Sequence, residues 1–259
     1  MNSFWASCVV VCGLAGLSAC SSDETSSAPK PTELTSATVL DLEDVQANPS
    51  KYEFADFRPN IQKLFLAGAA ETKHIAILWY TVTDGGVALH YHAKTESVYV
   101  IEGTQTDAKS TYPKGTVYFN PPGSGHQVTD STGFFLLAYA APPDFASTDL
   151  IGEYEPVRFD TTDPDLTSVY PFEEQQAGVE TFVAPLDTEG ELNAEFIETT
   201  SSDAYDFTGN YLLVLKGSCE IEGVTFGKDK LVVTKTVELQ SFEIAASKDS
   251  TCLALGVSF

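Results

Sequence analysis

Asp84–Gly103 reads DGGVALHYHAKTESVYVIEG, and Gly115–His126 reads GTVYFNPPGSGH. Along an extended strand successive side chains alternate between faces, so His90 and His92 point one way together with Ala88, while Leu89 and Tyr91 point the other. A tight reversal through Ala93-Lys94-Thr95 brings Glu96 onto a neighbouring strand, and Val98 and Val100 continue the inward face. In the second stretch Pro121, Pro122, Gly123 and Gly125 supply a sharp turn, Pro by fixing φ and Gly by tolerating unusual dihedrals. That turn delivers His126. The chain has four histidines and this pattern uses three of them, which together with Glu96 make a donor set for one divalent transition metal.

Outward from this hairpin the chain continues in short runs of β-branched and aromatic residues, such as HIAILWYTV (74–82) and GFFLLAYA (133–140), separated by Gly, Pro, Asp and Asn. No stretch sustains a helical period, which predicts an all-β sandwich or barrel. GFFLLAYA is apolar on both faces and needs cover on both sides, from the barrel interior and from either a second domain or the partner in a homodimer. Trp79, Tyr99, Tyr118, Phe119, Phe134 and Phe135 read as core, with Tyr118 also a candidate base. His74 matches no ligand position and reads as a hydrogen-bonded or exposed histidine near a strand end.

Between Ala141 and Phe172 the composition turns rich in Asp and Pro, as in a segment crossing between domains. Beyond it, Asn210–Gly217 echoes Ser97–Gly103, Gly227 echoes Gly115, and STCLALGVSF (250–259) echoes GFFLLAYA. Two copies of one barrel are expected, at 49–150 and 151–259. Aligned on Gly217, the ligand positions of the second copy fall on Ala204, Asp206 and Asn210, with the last near Phe242. These cannot hold a transition metal, so the second barrel is predicted to be degenerate and the chain to bind one ion.

The first 19 residues carry no charge, and the apolar run Phe4–Leu17 is short for a membrane span but suits a secretory signal. Leu17-Ser18-Ala19-Cys20 resembles a bacterial lipobox. The resemblance implies cleavage of residues 1–19, a lipidated Cys20 and an extracytoplasmic protein held to the membrane by acyl chains, with the outer membrane favoured by Ser21. Residues 20–48, opening SSDETSSAPKPTELTS after the cysteine, read as a flexible tether. Cys8 and Cys12 leave with the signal. Cys219 and Cys252 then read as buried strand residues, with a disulfide as the alternative. Fourteen basic against 37 acidic residues give a formal charge of −23, which repels phosphate backbones and excludes nucleic acid as a partner.

The two opening stretches match the paired signature of the cupin superfamily, GxxxxxHxHxxxExxxxxxG and GxxxxxPxGxxH, at nearly every fixed position. Asp84 departs from the first Gly, and Asp130 stands where an Asn often follows the histidine. The resemblance spans Arg58–Pro143 and implies a jelly-roll barrel in which His90, His92, Glu96 and His126 bind Mn, Fe, Ni, Cu or Zn. Four ligands leave two adjacent positions of an octahedral ion for a small chelating molecule or dioxygen. Metal-binding cupins similar to this one include dioxygenases, oxalate-converting enzymes and sugar isomerases. With only Arg58 and Arg158, neither on a motif strand, the chain lacks the inward fork a dianion such as oxalate would want. The expectation is an Fe(II) or Mn(II) oxidoreductase acting on a neutral or singly charged chelator, with Glu96 the catalytic carboxylate. The alternative is a non-catalytic lipoprotein that binds metal or a small ligand, resembling the zinc-holding cupin modules of bacterial anti-sigma factors. Because imidazoles bind metal only when neutral, occupancy is expected to fall below a pH of roughly 6.

Overall fold

The computed structural model describes residues 34–259. The expected signal segment and the expected lipidation site Cys20 lie outside the described residues. Strand β1 (Ala37–Asp41) runs into a short helix, α1 (Leu42–Ala47), where the Asp41 carboxylate accepts hydrogen bonds from the backbone N–H of Glu43 and Asp44. Residues 37–47 of the expected tether are thus a strand and a capped helix, with Leu42 and Val45 buried.

Strands β2 (Ala55–Arg58), β3 (Ile61–Gly68), β4 (His74–Tyr91), β5 (Glu96–Thr106), β6 (Thr111–Pro113), β7 (Thr116–Asn120), β8 (Gly125–Tyr139) and β9 (Val157–Asp160) form one sheet. Their order is β2-β3-β4-β8-β5-β7-β9, with β6 beside β5. A second sheet holds β10 (Glu173–Gln176), β11 (Val179–Val183), β12 (Asn193–Thr199), β13 (Tyr205–Gly209), β14 (Tyr211–Ile221), β15 (Val224–Gly227), β16 (Lys230–Thr234), β17 (Gln240–Ala246) and β18 (Cys252–Ser258). Its order is β10-β11-β12-β18-β14-β16-β1, with β15 and β17 on β14 and β13 on β17. The fold is all-β, as expected, and the two orders correspond strand for strand, which is the structural form of the sequence echo.

The edge strands cross between the halves. β1, at the start of the described chain, pairs with β16 of the second sheet, and β9, beyond residue 150, pairs with β7 of the first. A boundary at 150/151 therefore cuts β9 away from the sheet it completes. Between the sheets lies an apolar core to which both contribute. From GFFLLAYA, Phe134, Leu136 and Ala138 enter this core, while Phe135, Leu137 and Tyr139 enter the first barrel. The cover expected for this strand is thus the chain's own second sheet, where β18 sends Leu253, Leu255 and Val257 to the same core. Each such fully buried side chain contributes on the order of 1.5–3 kcal/mol.

The second barrel is filled. Cys219 and Cys252 are joined by a disulfide in its core, so the bridge replaces the expected pair of separate strand residues. The Phe207 ring packs against Gly209 and Gly256, where added Cβ atoms would stand 2.3 and 2.4 Å from it. Of the aligned ligand positions, Ala204 and Asp206 are exposed and Phe242 is packed in the apolar core. The buried Asn210 side chain donates to the Val237 carbonyl and accepts from the Phe259 N–H. Ala204 and Phe242 carry no ligand atom and Asn210 is engaged, which leaves Asp206 alone at the surface.

Candidate metal centre

The four expected ligands meet in the first barrel. Their donor atoms all lie within 4.8 Å of one another, and all four residues are buried. His90 stands near the end of β4 opposite His126 on β8, while Glu96 opens β5 opposite Asn120 and Tyr139. His92, just past β4, is fixed through its backbone: its N–H donates to the Ser124 carbonyl and its carbonyl accepts from the Gly123 N–H, each at 2.8 Å. Gly123 has φ +80°, and there glycine is what the turn requires.

The reversal between His92 and Glu96 is held by the second half of the chain. The Thr95 N–H donates to the Gly190 carbonyl at 3.1 Å, and Lys94 Nζ donates to the Glu189 carbonyl at 2.9 Å and pairs with Glu191 at 2.8 Å. A Cβ on Gly190 would stand 1.8 Å from Thr95 Oγ1 and 2.9 Å from Thr95 Cβ. The contact admits only glycine without a shift, so the second half of the chain positions the ligand hairpin of the first.

The partners of the ligands fix the orientation of the His90 and His126 rings and of the Glu96 carboxylate. His90 Nδ1–H donates to the Ala88 carbonyl at 2.8 Å, which leaves Nε2 as a free donor for a metal. His126 Nδ1–H donates to Asp107 Oδ2 at 2.9 Å, a carboxylate–histidine pair that holds the ring's orientation and raises its basicity. Asn120 Nδ2–H donates to Glu96 Oε2 at 2.8 Å and orients that carboxylate. His92 Nε2 and His126 Nε2 are 3.3 Å apart, and Glu96 Oε2 lies 3.3 and 3.4 Å from them. These separations suit adjacent ligands of an octahedral ion bound at about 2.1 Å, for which about 3 Å is expected. The residues present fit a divalent transition ion.

Electrostatics agree. Burial pushes His90 down to about 3 and His92 to about 4, keeping both neutral. Burial would lower His126 too, but its hydrogen bonds to Asp107 and Glu96 together raise it to about 9. For Glu96 burial works upward, yet the surrounding imidazoles, His92 foremost, pull it well below the usual carboxylate range. The two carboxylates that flank His126 thus favour a positive charge at this centre.

Sequence reasoning missed Asp107, Asn120 and Lys63. Asn120 sits one residue before the Pro-Pro turn, paired in register with Glu96, and could have been suspected from that placement. Asp107 has no spacing signal. Its Oδ1 accepts the N–H of Lys109 and Ser110, a local turn that frees Oδ2 for His126. His74 is fully buried, not exposed; it is hydrogen-bonded to the Thr72 carbonyl and to Lys63 Nζ. Tyr118, the candidate base, stacks on Tyr112 at 3.9 Å instead of lining the cavity, and burial holds its hydroxyl well above the ordinary range. The tyrosine that reaches the ligands is Tyr139, parallel to the His92 ring at 6.0 Å. Arg58 remains outside the cavity, its guanidinium 3.8 Å from the Phe145 ring, which in turn stacks on His90 at 5.0 Å. Arg158 bonds Ser110 at the surface.

Residues 42–142 match the family model described as the ChrR Cupin-like domain. That match covers β2 to β8 of the first sheet, whose fold is cupin-like. Sequence comparison with curated proteins finds no match, but solved structures align over both sheets. A candidate dioxygenase from Nostoc punctiforme aligns with a TM-score of 0.54 at 11% identity, covering 86% of this chain and 82% of its own. Salicylate 1,2-dioxygenase from Pseudoaminobacter salicylatoxidans, in adducts with gentisate, aligns with a TM-score of 0.54 at 12% identity, covering 87% and 83%. A mutant of that enzyme in complex with gentisate gives 0.55 at 14%, covering 87% and 84%. At these identities the likeness carries the fold, and the cupin centre must be argued from its own residues.

Proposed function

We propose that the chain is a metal-dependent oxidoreductase that consumes dioxygen together with a small chelating substrate. The observation that supports this best is the convergence of three imidazoles and one carboxylate, all buried, with donor atoms within 4.8 Å of one another. A bound Fe(II) or Mn(II) would supply Lewis acidity and a redox-active centre. The chain's own residues do the rest. His90 and His92 offer neutral donors, His126 becomes one once an ion displaces its proton, and Glu96, oriented by Asn120, offsets part of the cation's charge. Val87, Val128 and Leu137 line the cavity and exclude water, which strengthens every electrostatic contact within it. Glu96 is the carboxylate whose charge tunes the centre. Glu96→Gln is expected to abolish oxygen uptake while the three imidazoles retain some metal. If a screen of diketones, hydroxyketones and catechols on Fe-, Mn- and Co-loaded protein gives neither spectral change nor oxygen uptake, the catalytic reading fails.

A second reading, a protein that binds metal or a small ligand without turnover, is favoured by the narrowness of the cavity. About 20 Å³ is open to the centres of water-sized groups, little more than one or two waters need. A substrate must displace the half-buried rings of Phe57 and Phe145 at the mouth. We also propose that Cys20 carries a lipid that anchors the folded part outside the cytoplasm. Among the described residues no helix is long and apolar enough to cross a membrane. Cys20→Ser is expected to shift the protein out of the membrane fraction or leave it unprocessed; an unmodified Cys20 in the mature protein would refute the anchor.

A further inference from the structure

The cavity lined by three of the four ligands, His90, Glu96 and His126, is also lined by Lys63. This lysine comes from β3 on the face shared with Ile61, and only 3% of it is exposed. A buried ammonium needs partners for three N–H donors. Among the described residues it has one hydrogen bond, to His74 Nε2 at 2.9 Å, and no carboxylate within salt-bridge distance. His74 Nδ1–H donates to the Thr72 carbonyl at 2.7 Å, so its Nε2 is an acceptor held in place for the lysine. The rings of Phe57 and Tyr139 flank the nitrogen at 4.8 and 5.0 Å, a weak substitute for an anion. Glu96 is the carboxylate whose charge most favours the ammonium, while Arg58 opposes it, and Glu96 is committed to the metal ligands. Burial lowers the amine to about 8, which still leaves most of it charged at neutral pH. Lysine here is costly where methionine or leucine would fill the barrel for less, and its unused donors share a cavity with the metal ligands.

We infer that Lys63, seated by His74, is the anion anchor of the centre, and that the substrate is a small chelator carrying one carboxylate that pairs with Lys63 while its other oxygens face the metal ligands. The inference rests on the proposed chelate-binding role and adds the substrate's charge. It replaces the missing arginine fork with a single cation, which suits a monoanion better than a dianion. Lys63 is a specificity residue and His74 a positioning residue behind it.

The test compares two β-diketones that differ by a carboxylate arm, 2,4-pentanedione and 4,6-dioxoheptanoate, by titration of the visible spectrum of Co(II)-loaded full-length protein. Wild type is expected to bind the carboxylated ligand more tightly by roughly tenfold or more, as for a charge-assisted hydrogen bond. Lys63→Met should bring the two ligands within about twofold of each other with cobalt content unchanged, and Lys63→Arg should restore part of the preference. His74→Leu should weaken the preference without touching 2,4-pentanedione. If Lys63→Met does not fold, Lys63→Gln takes its place. Equal binding of both ligands by wild type, or a preference that survives Lys63→Met, overturns the anchor and leaves the chelate-binding role standing. Binding of neither ligand by wild type removes that role and the anchor with it.

Discussion

Asp107→Asn isolates what one carboxylate does for the metal centre. The Asp107 side chain is 1% exposed and has donors on both sides: His126 Nδ1–H on one oxygen at 2.9 Å, the N–H of Lys109 and Ser110 on the other at 2.8 and 3.0 Å. An amide has one acceptor and one donor end, so whichever way the substituted side chain turns, its NH2 faces another N–H. A buried donor left without a partner costs about 1–3 kcal/mol. If the cost falls on His126, the ring no longer has its Nδ1 proton fixed, and the Nε2 lone pair is offered to the metal only part of the time. Loss of a carboxylate behind a metal-bound histidine typically weakens affinity about 10–100-fold, or about 1.4–2.8 kcal/mol, so the two routes give the same range. Competition of metal-depleted protein against a fluorescent chelator for Zn(II) measures it. Asp130→Asn is the control, since Asp130 is exposed and sits at φ +47°, which asparagine tolerates. An Asp107→Asn affinity within twofold of wild type would refute the assigned role.

Three further outcomes follow from the same geometry. Since His126 is raised to about 9, it is protonated at neutral pH and a metal must displace that proton; affinity should fall about tenfold per pH unit as pH drops below 9. His90 and His92, near 3 and 4, should add no further loss above pH 5. Affinity that is flat between pH 6 and 9 in a buffered metal titration would contradict this. Gly190→Ala, which pushes on Thr95, should weaken metal affinity by roughly tenfold with circular dichroism unchanged, and unaltered affinity would show that the second barrel does not hold the hairpin. Cutting the Cys219–Cys252 bridge, which closes a sequence separation of 33, by Cys219→Ala should lower unfolding stability by about 3–4 kcal/mol in a denaturant titration; a loss under about 1 kcal/mol, or two free thiols in unreduced protein, would argue against the bridge.

The ligand set was legible because it depends on two local rules, strand alternation and tight-turn chemistry, and both are written between His90 and His126. The burial of GFFLLAYA on both faces was legible for the same reason. What supports the ligands was not. Asp107 reaches His126 through a turn that no spacing marks, and Lys63 meets His74 only when β3 and β4 pair with a bulge between Phe65 and Ala67. The exchange of β1 and β9 between the sheets involves residues far apart in sequence, and their local composition reads as tether and linker. Gly190 carries no signal in its own stretch, and only the packing of Thr95 against it gives it a role. Local periodicity gave the faces, and tertiary pairing decided which polar residues those faces bring together.

The central claim, that His90, His92, Glu96 and His126 hold one metal ion, is tested most directly by measuring metal and protein together on natively purified full-length chain and on a His92→Ala, Glu96→Ala double variant. The expected result is about one divalent transition ion per chain in wild type and less than about a tenth in the folded variant. A wild-type chain that neither carries nor takes up an ion, or a variant that keeps its metal, would contradict it.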